Sequence, residues 1–277
     1  MDRRLAAKVR SSVARGEGRG ASAERLKSET FVLGVEHHTE IASTNDRALE
    51  LCADAELLVP YLVFADHQTS GRGRGLNRWW SSDGAVQFSV IVDAADYGLP
   101  ESRWPQISLT VGAAVCQTLQ MLLGSEISVG LKWPNDVWLN GRKVAGILVE
   151  IPPVRRGRLV IGVGLNVNNS FEAAPSELLK VGTSMRDETG IESDRHEVLV
   201  DLLQQLDNDL RCLAATDLSL SERWRNLCVL RDHTVSVDTG RQQITGLCLG
   251  IAEDGALRLQ TASGEQCLHG GVVSRIA

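Results

Sequence analysis

Apolar and polar positions alternate from Phe31 to His37, a period of two that predicts a strand. Ser43-Thr44-Asn45-Asp46 then precedes the apolar run Ala48, Leu49, Leu51 and Cys52. Ser43 followed three residues later by Asp46 reads as a variant of the capping box, so a helix starts there. Leu57 to Ala65 predicts a buried strand, and Ala85 to Val92 an alternating one. Ile107, Val111, Val115, Leu119 and Leu122 recur at helical spacing and predict a long amphipathic helix. Trp138-Leu139-Asn140-Gly141-Arg142-Lys143 predicts a hairpin, because Asn-Gly favours the two positive φ values of a type I′ turn. Leu159 to Val167 predicts a further strand. Val198, Leu199, Leu202, Leu203, Leu206, Leu210 and Leu213 mark a second long helix. After Val229 the texture changes to short strand-like segments: Thr234–Val237, Gln243–Leu249, Ala256–Gln260 and Glu265–Leu268, separated by glycines. A unit of about 45 residues is small for secure independent stability, so it is expected to pack on the main domain.

Residues 1–29 carry no such pattern. Arginines and lysines outnumber acids there, and Gly16-Glu17-Gly18-Arg19-Gly20 interrupts them. The expectation is a mobile leader over 1–29, with a transit peptide as the lesser reading. A main domain over 30–228 and a terminal domain over 229–277 complete the organisation. Lys+Arg 29 against Asp+Glu 35 gives a net charge of −6, which argues against general nucleic-acid binding. No run approaches the roughly 20 uninterrupted apolar residues of a membrane span. The six cysteines are scattered and form no Cys-x-x-Cys pair, which fits reduced thiols in a cytosol better than a disulfide scaffold or a zinc site. His37 and His38 are adjacent on a strand, so they point to opposite faces and make a poor metal pair.

Three segments carry candidate chemistry. Gly71-Arg72-Gly73-Arg74-Gly75, ahead of Arg78-Trp79-Trp80, joins a permissive backbone to two guanidinium groups and can fold over an anion. Lys132-Trp133-Pro134-Asn135-Asp136 runs into the hairpin that bears Lys143. A two-residue turn pairs Leu139 with Arg142, Trp138 with Lys143 and Asp136 with Ala145. Asp136 and Lys143 then become diagonal neighbours on one face, ~7–8 Å apart. Gly162-Val163-Gly164-Leu165-Asn166 is a glycine-punctuated strand that a ligand or another backbone can approach closely.

In this order, Ser43-Thr44-Asn45, Gln68-Thr69-Ser70-Gly71-Arg72-Gly73-Arg74, Lys132-Trp133-Pro134-Asn135-Asp136, Lys143-Val144-Ala145-Gly146-Ile147-Leu148 and Gly162-Val163-Gly164-Leu165-Asn166 resemble the biotin protein ligases (biotin–[acetyl-CoA-carboxylase] ligases). The resemblance covers about residues 31–277. It implies an α+β fold: a mixed β-sheet with helices packed on one face, plus a small SH3-like β-barrel. It implies two steps, in which the biotin carboxylate attacks the α-phosphate of ATP to give biotinyl-5′-AMP, and a carrier lysine then takes the biotinyl group. It assigns Ser43, Thr44, Asn45, Gln68, Arg72, Gly73, Arg74 and Lys143 to biotin. It places Arg72, Arg74, Arg78, Lys132, Trp133, Asn135 and Asn166 on the ATP and adenylate side. Lys143, Arg74 and Asp136 are the candidate catalytic residues, with Asp136 either a Mg²⁺ ligand or the group that deprotonates the incoming lysine.

The implied partner is a biotin carboxyl carrier domain of acetyl-CoA carboxylase or another biotin-dependent carboxylase. Neither nucleic acid nor membrane is expected, and the enzyme is expected in the cytoplasm as a monomer or homodimer. The sequence departs from the family's loop at Leu76 and Asn77, where Gly and Arg are usual. Some members carry an N-terminal winged-helix repressor domain; the short stretch before Phe31 lacks its pattern, so a ligase without that domain is expected. The competing readings are a lipoate or octanoate ligase or transferase of the related fold, a non-catalytic biotin-binding module, and a nucleic-acid binder. The Gly-Arg loop, Lys143 and the net charge, respectively, weigh against them.

Overall fold

The computed structural model describes Arg19 to Ala277. Strands β1 (Gly34–Ile41), β2 (Tyr61–Gln68), β3 (Val86–Asp93), β4 (Val129–Lys132), β5 (Asp136–Leu139), β6 (Arg142–Glu150) and β7 (Arg158–Leu165) form one sheet in the order β1-β2-β3-β7-β6-β5-β4. β1 and β2 run parallel, and every other neighbouring pair is antiparallel. Parallel neighbours need a crossover. Helix α2 (Thr44–Leu51) supplies it, capped by Ser43, whose hydroxyl accepts the Asp46 N–H. Helix α1 (Arg19–Glu29) precedes the sheet. Helix α3 (Ile107–Leu123) follows β3. After β7 come α4 (Ser176–Leu179), α5 (Met185–Thr189), α6 (Arg195–Ala214) and α7 (Leu218–Leu227). The stretch Glu101–Leu123 is long and apolar enough to cross a membrane by composition, but 67% of its most apolar window is buried inside the protein, as in a core helix.

Both faces of the sheet are covered, and the strand period decides by what. Leu62, Val90, Val92, Leu159 and Ile161 enter the large core under α3, α6 and α7. Their odd-step neighbours Val63, Ile91 and Val160 form a second core with Ala48 and Cys52 of α2 and its end. Helices packed on one face, as expected from the sequence, is therefore corrected: α2 lies on the opposite face. The cause is legible in β3, where every residue from Val86 to Val92 is buried. Such a strand has no solvent side, so each face needs its own cover.

The mobile leader is corrected over its last part. Residues 19–29 form α1, with Leu26 buried in the main core and Arg25 bound to Glu197 of α6 at 2.6 Å. Buried Leu26 and the Arg25–Glu197 pair dock this polar helix on the main domain. Residues 1–18, and with them the transit-peptide reading, lie outside the described residues.

The terminal unit is an SH3-like barrel with one antiparallel sheet, β8 (Thr234–Asp238), β9 (Gln243–Ile251), β10 (Leu257–Thr261), β11 (Gly264–Leu268) and β12 (Val272–Ile276), in the order β11-β10-β9-β8-β12. β12 has no counterpart among the four segments expected from the sequence. Val235, Val237, Cys248, Leu257 and Leu259 of the barrel join the main core. The indole N–H of Trp133 reaches across to the carbonyl of Gly255 at 3.1 Å. All six cysteines are free thiols.

Candidate active site

On the α2 side of the sheet, three strands present small or polar residues in register. Gly146 of β6 pairs with Gly164 of β7, Leu148 with Gly162, and Glu150 with Val160. Ser89 of β3 pairs with Gly162, and Gln87 with Gly164. The first turn of α2 closes over this floor. A Cβ at Gly162 would stand 2.0 Å from Asn45 Oδ1, so only glycine lets the helix come this close. A Cβ at Gly164 would meet the Trp79 indole at 2.4 Å.

The polar groups here are tied to one another. Gln68 Oε1 accepts the Thr44 N–H at 2.8 Å, and its Nε2 donates to Gln87. The Ser89 hydroxyl stands 2.6 Å from Asn45 Oδ1 and 2.9 Å from Thr44 Oγ1. Asn45 Nδ2 donates to Glu150 at 2.9 Å. Buried amides and hydroxyls are costly unless paired, and once paired they are rigid. Ser43, Thr44, Asn45, Gln87 and Ser89 are all buried.

The hairpin turns as expected: Asn140 and Gly141 both have positive φ, 45° and 80°. Its register differs. Trp138 pairs with Lys143, but Val137 pairs with Ala145 and Asp136 with Gly146. Val144 is therefore the extra residue of a bulge, which a period-two count could not anticipate. The bulge keeps Lys143 and Gly146 on the same face, and the Lys143 ammonium lies over Gly146. Lys143 is held from behind: its N–H donates to Val181 at 2.7 Å, and its carbonyl accepts from Thr183 at 2.9 Å. Its Nζ meets Asp136 Oδ1 at 2.6 Å, so the two expected neighbours form an ion pair. Lys132 also faces this cleft, with its ammonium 5.1 Å from the Trp138 ring, and burial lowers its pKa.

The glycine–arginine loop is itself a small hairpin. Arg72 and Arg78 form a bridge, Gly73 N–H donates to Asn77 C=O, and Trp79 N–H to Gly71 C=O. Asn77 Nδ2 closes the turn on the Arg74 carbonyl, while Leu76 points fully into solvent. Arg72 is gripped by Glu150, to both oxygens, and by Asp46 at 2.7 Å; hydrogen bonding to Glu150 above all raises its pKa further. Arg74 donates to the Gly271 carbonyl of the barrel at 2.8 Å.

Together these elements line a cleft of about 330 Å³. That is within the range of small-molecule sites. Ser43, Thr44, Asn45, Gln68, Arg72, Gly73, Arg74, Arg78, Lys132, Trp133, Asn135, Asp136 and Lys143 all line it. Asn135 also holds β6 by donating to the Ile147 carbonyl. Asn166 is the exception. It is buried outside the cleft, donating to Thr183 C=O and accepting from Asn169, so it braces the segment behind Lys143. Among the described residues, Arg74, Arg78 and Lys132 have no carboxylate within ion-pair distance, so the cleft is a net cationic trap. The same residues include no group of three His, Cys, Asp or Glu able to hold a metal. Asp136, committed to Lys143 and close to Lys132, is a poor protein-held metal ligand.

Sequence reasoning missed Gln87, Ser89, Glu150 and Trp79. A signal existed for two of them: Gln87 and Ser89 are polar residues two apart in an otherwise apolar strand. Val272 and Val273, from the unforeseen β12, complete the wall.

The chain matches the Biotin/lipoate A/B protein ligase family over residues 39–168 and the Biotin protein ligase C terminal domain over 233–275. The second match singles out the biotin branch of the first. The chain is 31% identical to the bifunctional ligase/repressor BirA of Bacillus subtilis, over 86% of this chain and 73% of that protein. It is 32% identical to the biotin–[acetyl-CoA-carboxylase] ligase of Mycobacterium tuberculosis, over 79% of this chain and 80% of that one. Among solved structures, biotin protein ligase from Aquifex aeolicus in complex with biotin and ATP superposes with a TM-score of 0.77 at 28% identity, covering 88% of this chain and all of that one. With the cleft built from the same motifs that carry the resemblance, this chain belongs to the biotin protein ligase family.

Proposed function

We propose that this cleft is where the chain carries out its family's reaction, the ATP-dependent attachment of biotin to a carrier lysine through biotinyl-5′-AMP. The observation that carries the assignment of residues is the Lys143–Asp136 pair, presented on a bulged hairpin opposite the loop arginines. A carboxylate oxygen must attack the α-phosphorus while the bond to pyrophosphate breaks. Both reactants are anions, and fixed cations lower the barrier by meeting charge where it develops. Lys143, Arg74 and Lys132 are assigned that role, with Arg72 and Arg78 holding the loop side. In the second step the carrier amine attacks the biotinyl carbonyl, the bond to AMP breaks, and the amine loses a proton.

Biotin joins an apolar ring system to a polar ureido edge. Ser43, Thr44, Asn45 and Gln68 offer hydrogen bonds to such an edge, and Gly162 and Gly164 let Asn45 and the Trp79 indole settle against the sheet beside it. Mg²⁺ enters in this reading with ATP as part of the nucleotide substrate. Asp136 is assigned to orienting Lys143. The carrier is a biotin carboxyl carrier domain of acetyl-CoA carboxylase or a related carboxylase, met in the cytosol. Intact-mass measurement of such a domain after incubation with ATP and biotin tests the reading. One biotinyl adduct, dependent on both small molecules, is expected. No adduct, or an adduct formed from lipoate instead, would overturn it.

A further inference from the structure

Glu150 stands where two parts of the site meet. It is the last residue of β6, and its side chain is three-quarters buried. Its Oε2 accepts from Asn45 Nδ2 at 2.9 Å and from Arg72 at 3.0 Å, while Oε1 accepts from Arg72 at 2.8 Å. Asn45 belongs to the capped first turn over the glycine floor. Arg72 belongs to the loop. One carboxylate thus joins the pocket to its cover.

We infer that Glu150 is a positioning residue that couples the small-molecule pocket to the glycine–arginine loop; this rests on the cleft being the biotin site. The geometry gives the reason. Asn45 has both ends of its amide committed, Oδ1 to Ser89 and Nδ2 to Glu150 at 2.9 Å and more weakly to the Leu148 carbonyl at 3.5 Å, so that carboxylate is the main tie on its donor end. Arg72 has a paired, fork-shaped contact to the same group, the geometry that fixes a guanidinium best. Gly71, Gly73 and Gly75 leave the loop backbone little stiffness of its own, so side-chain ties set where it rests. Loss of the Glu150 charge loosens the loop, leaving it to Asp46 and the Arg74–Gly271 bond, and weakens the hold on Asn45 at the same time. Asp46 also grips Arg72, but its carboxylate is not bonded to the Asn45 amide. It therefore ties the loop to the first turn of α2 without holding the side chain that faces the pocket.

That difference makes the test. Trypsin cuts after arginine, so the rate of cleavage at Arg72, Arg74 and Arg78 of the full-length protein reports loop order. Wild type, Glu150→Gln and Asp46→Asn are compared with and without biotin, alongside KM for biotin, kcat and Tm. Glu150→Gln removes the charge and turns one of the two acceptor oxygens into an amide NH2, so the single oxygen left cannot hold Arg72 in a paired contact and Asn45 as well. It is expected to raise loop cleavage about five- to tenfold, to raise KM for biotin by a similar factor, and to lower the protection that biotin gives. Tm should move little. Asp46→Asn is expected to raise cleavage with KM for biotin within twofold of wild type. Three results would overturn the coupling: Glu150→Gln unchanged in cleavage and KM, both variants equal in KM, or effects that merely follow a fall in Tm. Wild type that binds no biotin would instead sink the underlying reading, and the coupling with it.

Discussion

Lys143 Nζ lies 2.6 Å from Asp136 Oδ1, although the two residues are not partners in the ladder of β5 and β6. They share one face across the bulge at Val144, and the backbone bonds to Val181 and Thr183 fix the lysine from behind. Such a cation needs little rearrangement to meet a developing charge. Lys143→Ala should reduce biotinyl-5′-AMP formation about 10²–10³-fold, the usual cost of removing one preorganised donor. Pyrophosphate release in a single turnover measures it; a variant within about threefold of wild type removes Lys143 from the chemistry.

Asp136→Asn separates two roles. If Asp136 orients Lys143, adenylate formation should fall while transfer from preformed biotinyl-5′-AMP to the carrier stays within a few fold. If Asp136 takes the proton of the incoming amine, the transfer step should fall most. Feeding the enzyme synthetic adenylate and timing carrier labelling distinguishes them.

Arg74 reaches Gly271 across the cleft and has no carboxylate partner among the described residues. Its free charge suits an adenylate phosphate better than a ring system. Arg74→Ala should speed dissociation of biotinyl-5′-AMP by an order of magnitude or more and that of biotin by much less. Equal acceleration for both ligands would make Arg74 a general pocket residue.

Deletions should divide at α1. Removing residues 1–18 is expected to leave Tm within a degree or two. Removing 1–29 also takes away buried Leu26 and the Arg25–Glu197 pair. Loss of one fully buried leucine alone costs about 2–5 kcal/mol, so that truncation should melt several degrees lower. Equal melting of the two truncations would mean that α1 does not dock.

The Arg47 guanidinium, bonded to Glu36 at 2.8 Å, holds that carboxyl below its ordinary value of 4.5. A depressed carboxylate stabilises the folded state above its unfolded pKa and ceases to as pH falls through the folded one. Arg47 is partly exposed, so the effect is about 0.2–1 kcal/mol. Urea midpoints for wild type and Arg47→Ala should differ at pH 7 and converge towards pH 3. A constant gap across that range would show that the pair does not respond to pH.

The sequence made the site legible where chemistry was local. The cap at Ser43, the Asn140-Gly141 turn and the clustered cations could be read from neighbours in the chain, and all but Asn166 of the expected residues line the cleft. What escaped depended on distant partners. The residues at the Val144 bulge are bonded to Asn166, Val181 and Thr183, 22 to 40 positions on. Glu150 looks like an ordinary strand-end acid until Asn45 and Arg72 fold against it. The placement of α2 on its own face escaped as well: Ala85 to Val92 reads as an alternating strand, and only its unbroken burial in the fold shows that both faces are covered. Strand β12 begins after Gly270-Gly271 with Val-Val-Ser-Arg-Ile, too near the end to show a period.

Gly271, whose carbonyl receives Arg74, belongs to the barrel, as do Val272 and Val273 beside it, yet the two valines form part of the cleft wall. The barrel is therefore not an interchangeable module. Grafting one from a relative would transplant a segment of the ligand's enclosure along with the fold. In such chimaeras the few residues of the final strand, rather than the larger remainder of the barrel, should decide whether the hybrid works.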